Sequence, residues 1–243
     1  MRGTLAVFRR ELAGYFATPV AYVFIVIFLL LTGIFTFQLG RLYENGNADL
    51  RIFFDWHPWL YLFLIPAISM RLWAEERRSG TLELLLTLPI SLGGAVLGKF
   101  LAAWAFAAVA LVLTFPVWIT VSYLGKPDHG VILAGYLGSL MLAGGYLAIG
   151  QCISSISKSQ VIAFVIAVVV CFVFMLIGFD PVLKVFRGWL PDNIVSALSS
   201  LSFLTNFESI SKGVIDFRGV VFFGSLIGVF LFINAVVIEA KKG

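Results

Sequence analysis

Charge is what this chain has least of. Asp, Glu, Lys and Arg make up 12% of its 243 residues, against about 25% in soluble domains. Histidine and cysteine are scarcer still, at two residues each. The shortage excludes a large soluble catalytic domain, and two cysteines exclude a disulfide framework. Cys152 and Cys171 fall in or beside apolar runs and read as small buried hydrophobes, not as a metal site. His57 and His129 stand at the ends of apolar runs and read as interfacial residues without an acid-base role. No Asp, Glu, Lys or Arg occupies the middle third of any predicted span. Proton-coupled carriers and many ion paths depend on such buried charge. The chain therefore carries no visible energy source of its own. The uncharged Thr36, Gln38, Ser69, Thr114, Gln151 and Asn234 could line a path, but most of them are better suited to helix-helix hydrogen bonds.

Apolar sequence fills the space that charge leaves. Hydrophobic residues make up 60% of the chain, and the mean hydropathy is +1.02. Several runs approach or exceed the roughly 20 residues that cross a bilayer. The pattern predicts an all-α integral membrane protein, a single domain over residues 1–243. Six transmembrane helices are expected at about 20–39, 56–73, 95–124, 131–153, 160–179 and 219–238. Pro58 and Pro66 make the second irregular, and Pro116 predicts a bend in the long third. The glycines of the fourth permit close packing. The first run starts too late and lacks the small-residue cleavage site of a signal peptide.

The polar remainder has its own pattern. Over residues 1–17, Leu5, Phe8, Leu12, Tyr15 and Phe16 recur at helical spacing among Arg2, Arg9, Arg10 and Glu11, which predicts an amphipathic helix at the membrane surface. Residues 180–218 are too polar to span and too apolar for a free loop. Two short outer helices are expected there, near 182–190 and 194–204. Gly93 to Lys99 matches G-x-x-x-x-G-K, but Phe100 stands where a phosphate loop needs Ser or Thr, and no buried strand precedes it. Lys99 reads as an interfacial lysine and ATP as bound elsewhere.

An even number of spans puts both termini on one side. That side holds ten of the 17 Lys and Arg residues (Arg2, Arg9, Arg10, Arg71, Arg77, Arg78, Lys99, Lys158, Lys241, Lys242) and five of the 13 acids. The positive-inside rule then makes it cytoplasmic. The net charge of +4 reflects this loop bias and not nucleic-acid binding.

Between the second and third spans lies the most patterned polar stretch, Glu75 to Pro89. Gly80 is a candidate N-cap for a helix of about two turns that Pro89 ends, with Glu83 near its positive pole. Leu82, Leu85 and Leu86 make one apolar stripe, and Leu84 and Leu88 a second on a neighbouring face. Apolar side chains on more than one face, rimmed by charge, suit a partner. An interfacial connector is the plainer alternative.

This stretch resembles the signature loop of ABC-2 type transporter permeases: paired acids and a base (Glu75, Glu76, Arg77), then Gly80-Thr81, Glu83-Leu84-Leu85 and Pro89. The N-terminal amphipathic helix, six spans and short outer helices extend the likeness over the whole chain. Arg9-Arg10-Glu11-Leu12 with Tyr15-Phe16 and Pro19, and Ser202-Phe203-Leu204 with Asn206-Phe207-Glu208 and Lys212 to Asp216, are similar to the gliding-motility-type (GldF-like) branch. The resemblance implies the permease subunit of an ATP-driven exporter in a bacterial inner membrane. Residues 75–89 would be its coupling helix, seated in a separate ABC ATPase subunit. Glu75, Glu76, Arg77 and Glu83 would make polar contacts there, and Leu84 and Leu85 apolar ones. Neither catalytic residues nor a metal site are implied, and ATP and magnesium would act through the partner. Further implied partners are a second permease copy or related subunit, membrane lipid, and a protein with an extracytoplasmic domain. A non-transporting anchor for an ATPase complex is the runner-up reading, and an autonomous channel or carrier comes third.

Overall fold

The computed structural model describes all residues except 1, 43, 45–48, 83–89, 188–190, 215 and 242–243, and within these bounds it is helical without strands. Proline and hydroxyl or carboxylate caps set many of the boundaries. Helix α1 covers Arg2–Phe16. Thr18 is extended, and Pro19 opens α2, Pro19–Ile34, which runs into a π-helical turn at Phe35–Leu39. Pro can open a helix because its missing N–H has no intrahelical partner there. Short α3, Arg51–Asp55, leads to α4, His57–Ser69, and α5, Arg71–Ser79. Ser91 accepts the Gly94 N–H to cap α6, Leu92–Val112. After a break at Leu113 and Thr114, Pro116 starts α7, Phe115–Leu124.

Asp128 caps α8, His129–Ile156, and Ser159 caps α9, Gln160–Leu176. Three short helices follow: α10 Asp180–Arg187, α11 Asp192–Ser200 and α12 Phe203–Ser211. Two were expected here. The second breaks at Leu201, because the Ser202 hydroxyl takes the Leu204 N–H and starts a new helix. Nor do these helices only skirt the surface, since Phe203, Phe207 and Ile210 are buried in the core. Asp216 caps α13, Phe217–Ala240.

Helix α8 is the axis of the bundle. It packs against α13, α4, α9, α6, α12 and α5. Its glycines make that possible. Gly135 faces the Phe54 ring and Gly150 faces Ser69, each too closely for a Cβ. At 28 residues it is about 42 Å long, the spine on which the other helices are assembled.

Four helical segments are long and apolar enough to cross a membrane: Pro19–Leu39, Leu92–Leu124, His129–Ile156 and Phe217–Ala240. A fifth apolar helix, α9, has 17 residues. The second expected span divides at Met70 into α4 and α5. Pro66 lies inside α4, and the Ser154 hydroxyl enters the helical ladder beyond it. Ser154 Oγ donates to Met70 O at 2.7 Å and accepts the Trp73 and Ala74 N–H groups at 3.1 Å each. A side chain inserted into the ladder is a recognised cause of a kink. Its source, α8, lies 80 residues further along the sequence.

Candidate functional site

The polar stretch singled out in the sequence begins on α5, and α5 is bound on two sides by its own chain. Leu72, Trp73 and Ala74 are buried. Glu75, Arg78, Ser79, Gly80 and Thr81 are exposed, while Glu76 and Arg77 are half-buried. Gly80 is left-handed at φ 72° and closes α5, donating its N–H to Glu76 O. It therefore ends one helix, whereas the sequence pattern suggested that it opens another. A φ of this sign suits glycine at a helix C-terminus. Ser79 Oγ also donates to Glu75 O, so the last carbonyls of α5 are satisfied locally. Thr81 and Leu82 are helical again. Glu83, Leu84, Leu85 and Pro89 lie outside the described residues.

The centre of the site is Lys99, one turn into α6 from the glycines of the rejected phosphate motif. Its side chain is 2% exposed. Nζ lies 2.9 Å from Glu76 Oε1 on α5 and 3.1 Å from Glu11 Oε1 on α1. The Trp73 ring stands 5.0 Å from the same ammonium. Arg10 adds a second cation, with NH2 at 2.6 Å from Glu11 Oε1 and 3.3 Å from Glu76 Oε1. Two acids and two bases thus cancel across three helices. A buried lysine survives only with such compensation. Burial alone would raise the Glu11 pKa, but Lys99 and Arg10 together outweigh it and hold the carboxyl below its ordinary range. The same hydrogen bond from Arg10 to Glu11 raises the guanidinium pKa against the cost of burial.

Helix α1 reaches this node because it lies lengthwise on the first half of α6. Gly98 is packed tightly against Thr4 and Val7, and Tyr15 stacks on Phe106 at 5.0 Å between centroids. The Arg71 guanidinium covers the other side of α1, 4.5 Å from the Tyr15 ring. Gln151 on α8 ties to the same helix, donating Nε2 to Val96 O of α6 at 3.0 Å.

A second tie runs from α5 to the end of α8. Arg77 donates to Ser155 O at 2.9 Å and to Ile156 O at 2.7 Å. Lys241, just past α13, donates to Ile156 O at 3.0 Å. Cations there complement the negative end of the helix dipole. Burial lowers the Lys241 pKa, and the like charges of Arg77 and Lys158 lower it further. The ends of α5, α8 and α13 and the starts of α1 and α6 therefore converge on one end of the bundle.

Sequence reasoning brought Glu75, Glu76, Arg77, Gly80 and Thr81 to this corner, where only Glu75, Gly80 and Thr81 face outward. Glu76 and Arg77, expected to reach toward a partner, are turned onto Lys99 and onto α8. Lys99 itself was passed over as interfacial. The usable signal was its isolation: Lys99 is the only charged residue in α6, with no acid on its own helix to pair with. His57 is also placed differently. It is fully buried among Phe28, Phe53, Phe54 and Tyr61, with Nδ1 3.4 Å from Ser139 Oγ, because two aromatic-rich helices close over it. His129 is exposed and accepts the Trp118 indole N–H at 3.1 Å. Cys152 and Cys171 are buried and unpaired. Among the described residues no three His, Cys, Asp or Glu side chains gather in a metal-binding group.

The family described as ABC-2 family transporter protein matches residues 59–231 of the chain. No curated protein matches it.

Proposed function

The chain belongs to the ABC-2 transporter family as a multi-pass membrane permease, and on that premise we propose that it is driven by a separate ABC ATPase through residues 75–89. The observation that carries this reading is the Lys99 node. It joins the root of the segment, through Glu76, to α1 and α6, while Arg77 joins it to α8 and α13. A push on residues 78–89 would therefore be delivered to four helices at once, without slack. Glu75, Gly80 and Thr81 are exposed at this corner and are assigned to contact with the ATPase, as the family resemblance also assigns Glu83, Leu84, Leu85 and Pro89. ATP and magnesium act in that partner, and the chain is not itself an enzyme.

The remaining parts of the reading follow the same resemblance. Six spans, with residues 56–73 (α4 and the first residues of α5) as the second and α9 as the fifth, put both termini in the cytoplasm of a bacterial cell, and the permease resides in the inner membrane. Two copies, or this chain and a related subunit of the GldF-like branch, enclose the path, and cargo moves outward. A protein with an extracytoplasmic domain is a further partner. Co-purification from native membranes tests the coupling. Glu83→Lys or Leu85→Asp is expected to release the ATPase from the chain, and retention in both variants would overturn the assignment.

A further inference from the structure

Where α5, α6 and α8 meet, three buried polar atoms have no hydrogen-bond partner among the described residues: Trp73 Nε1, Glu76 Oε2 and Gln151 Oε1. Buried polar groups are almost always paired, so each needs a reason. Contacts place all three around Lys99. Trp73 and Glu76 are three residues apart on α5 and so share a face. The Trp73 ring is centred 5.0 Å from Lys99 Nζ, and the partnered oxygen of Glu76, Oε1, lies 2.9 Å from it. The unpartnered Nε1 and Oε2 therefore belong to two groups that flank one ammonium.

Gln151 reaches the same junction from α8. Its Nε2 donates to Val96 O, one turn before Lys99 on α6. Ser154, one turn further along α8, accepts the Trp73 backbone N–H. A carbonyl oxygen can only accept, so the amide nitrogen of Gln151 must face Val96 and Oε1 is the end left over. Trp73 and Gln151 are fully buried.

The chemistry of the set selects its ligand. Indole Nε1 only donates, and Lys99 has three N–H groups for the two Oε1 atoms it faces. Carboxylate and amide oxygens only accept. A cation would suit the two oxygens but would meet Lys99. An anion would suit the two donors but would meet Glu76. What matches is a small neutral molecule that accepts twice and donates twice. Buried water does this, typically through about three bonds to groups that are otherwise unpaired.

We propose that one water molecule is bound at this junction, accepting from Trp73 Nε1 and Lys99 Nζ and donating to Glu76 Oε2 and Gln151 Oε1. It brings α8 into a node otherwise built from α1, α5 and α6, and it holds the second oxygen of Glu76. The inference rests on the buried polar groups alone and does not depend on ATPase coupling.

Pulsed X-ray radiolysis of the full chain in micelles, read by mass spectrometry, tests this in solution. Radicals formed from a bound water oxidise the side chains beside it even when these are buried. Phe223, equally buried but packed against the Phe203 and Phe222 rings, is the dry control. Oxidation of Trp73 without oxidation of Phe223 is expected. No label on Trp73 overturns the proposal, and so does equal label on both, because radicals then enter by opening of the fold. A crystal structure that shows ordered water should place a peak within hydrogen-bond distance of Trp73 Nε1 and Glu76 Oε2. A protein side chain on either atom, or no peak there, overturns the proposal and leaves the coupling reading intact.

Discussion

Replacing Lys99 by methionine should be among the most damaging single changes in this chain. The substitution keeps the length of the side chain and removes its charge. Glu11 and Glu76 are left facing each other, with 19% and 17% of their side chains exposed. Both Oε1 atoms lie about 3 Å from the same nitrogen, so they are at most about 6 Å apart. At an effective dielectric of about 20 their repulsion is roughly 3 kcal/mol. That agrees with the lower end of the 3–5 kcal/mol typical when one partner of a buried pair is removed. Arg10 remains near both acids, but its side chain is 53% exposed and its attraction is screened by solvent. Unfolding in mixed micelles should show the loss directly, as a fall in midpoint of about 6–12 °C for a chain of this size. The triple variant Lys99→Met, Glu11→Gln, Glu76→Gln should recover most of it, since neutral side chains of similar shape leave no uncompensated charge. A single variant within 1 kcal/mol of wild type, or a triple variant as unstable as the single one, would refute the reasoning.

Two further outcomes are expected. Ser154→Ala removes the hydroxyl that accepts the Trp73 N–H, a first-turn donor of α5; at about 1–3 kcal/mol for a buried donor left unpaired, a loss of that size should appear in the same unfolding assay, and Ser154→Ala at no cost would mean that the hydroxyl does not hold the joint. Glu11 has a lowered native pKa relative to its ordinary 4.5, so its contribution is complete above that value and is lost as pH falls toward the native one. Stability measured from neutral to acid pH should therefore decline less steeply in Glu11→Gln than in wild type.

Much of the fold was legible because its causes are local. Pro19, Ser91, Asp128, Ser159 and Asp216 each mark a helix start within a few residues of where the helix begins. The bend in the third span follows Pro116. What could not be read are features with distant causes. Met70 is a joint because Ser154, on another helix, enters its ladder. Gly80 closes α5 because the second span continues past Trp73 as a polar helix, whereas the sequence invited a fresh start there. Glu76 and Arg77 look like solvent-facing charges until Lys99 and the end of α8 are placed beside them. The segment at Glu75 to Pro89 was found by its pattern, but its attachment was not, because ion pairs between Glu11, Glu76 and Lys99 join residues far apart in sequence.

The account rests on residues 75–89 as the place where an ATPase meets the chain. A photo-reactive amino acid set in turn at Glu75, Thr81 and Leu85, with Lys126 at the opposite end of the bundle as control, tests this in living cells. The account predicts that an ABC ATPase is captured from the first three positions and not from the control. Capture of no ATPase from residues 75–89, or equal capture from Lys126, would contradict it.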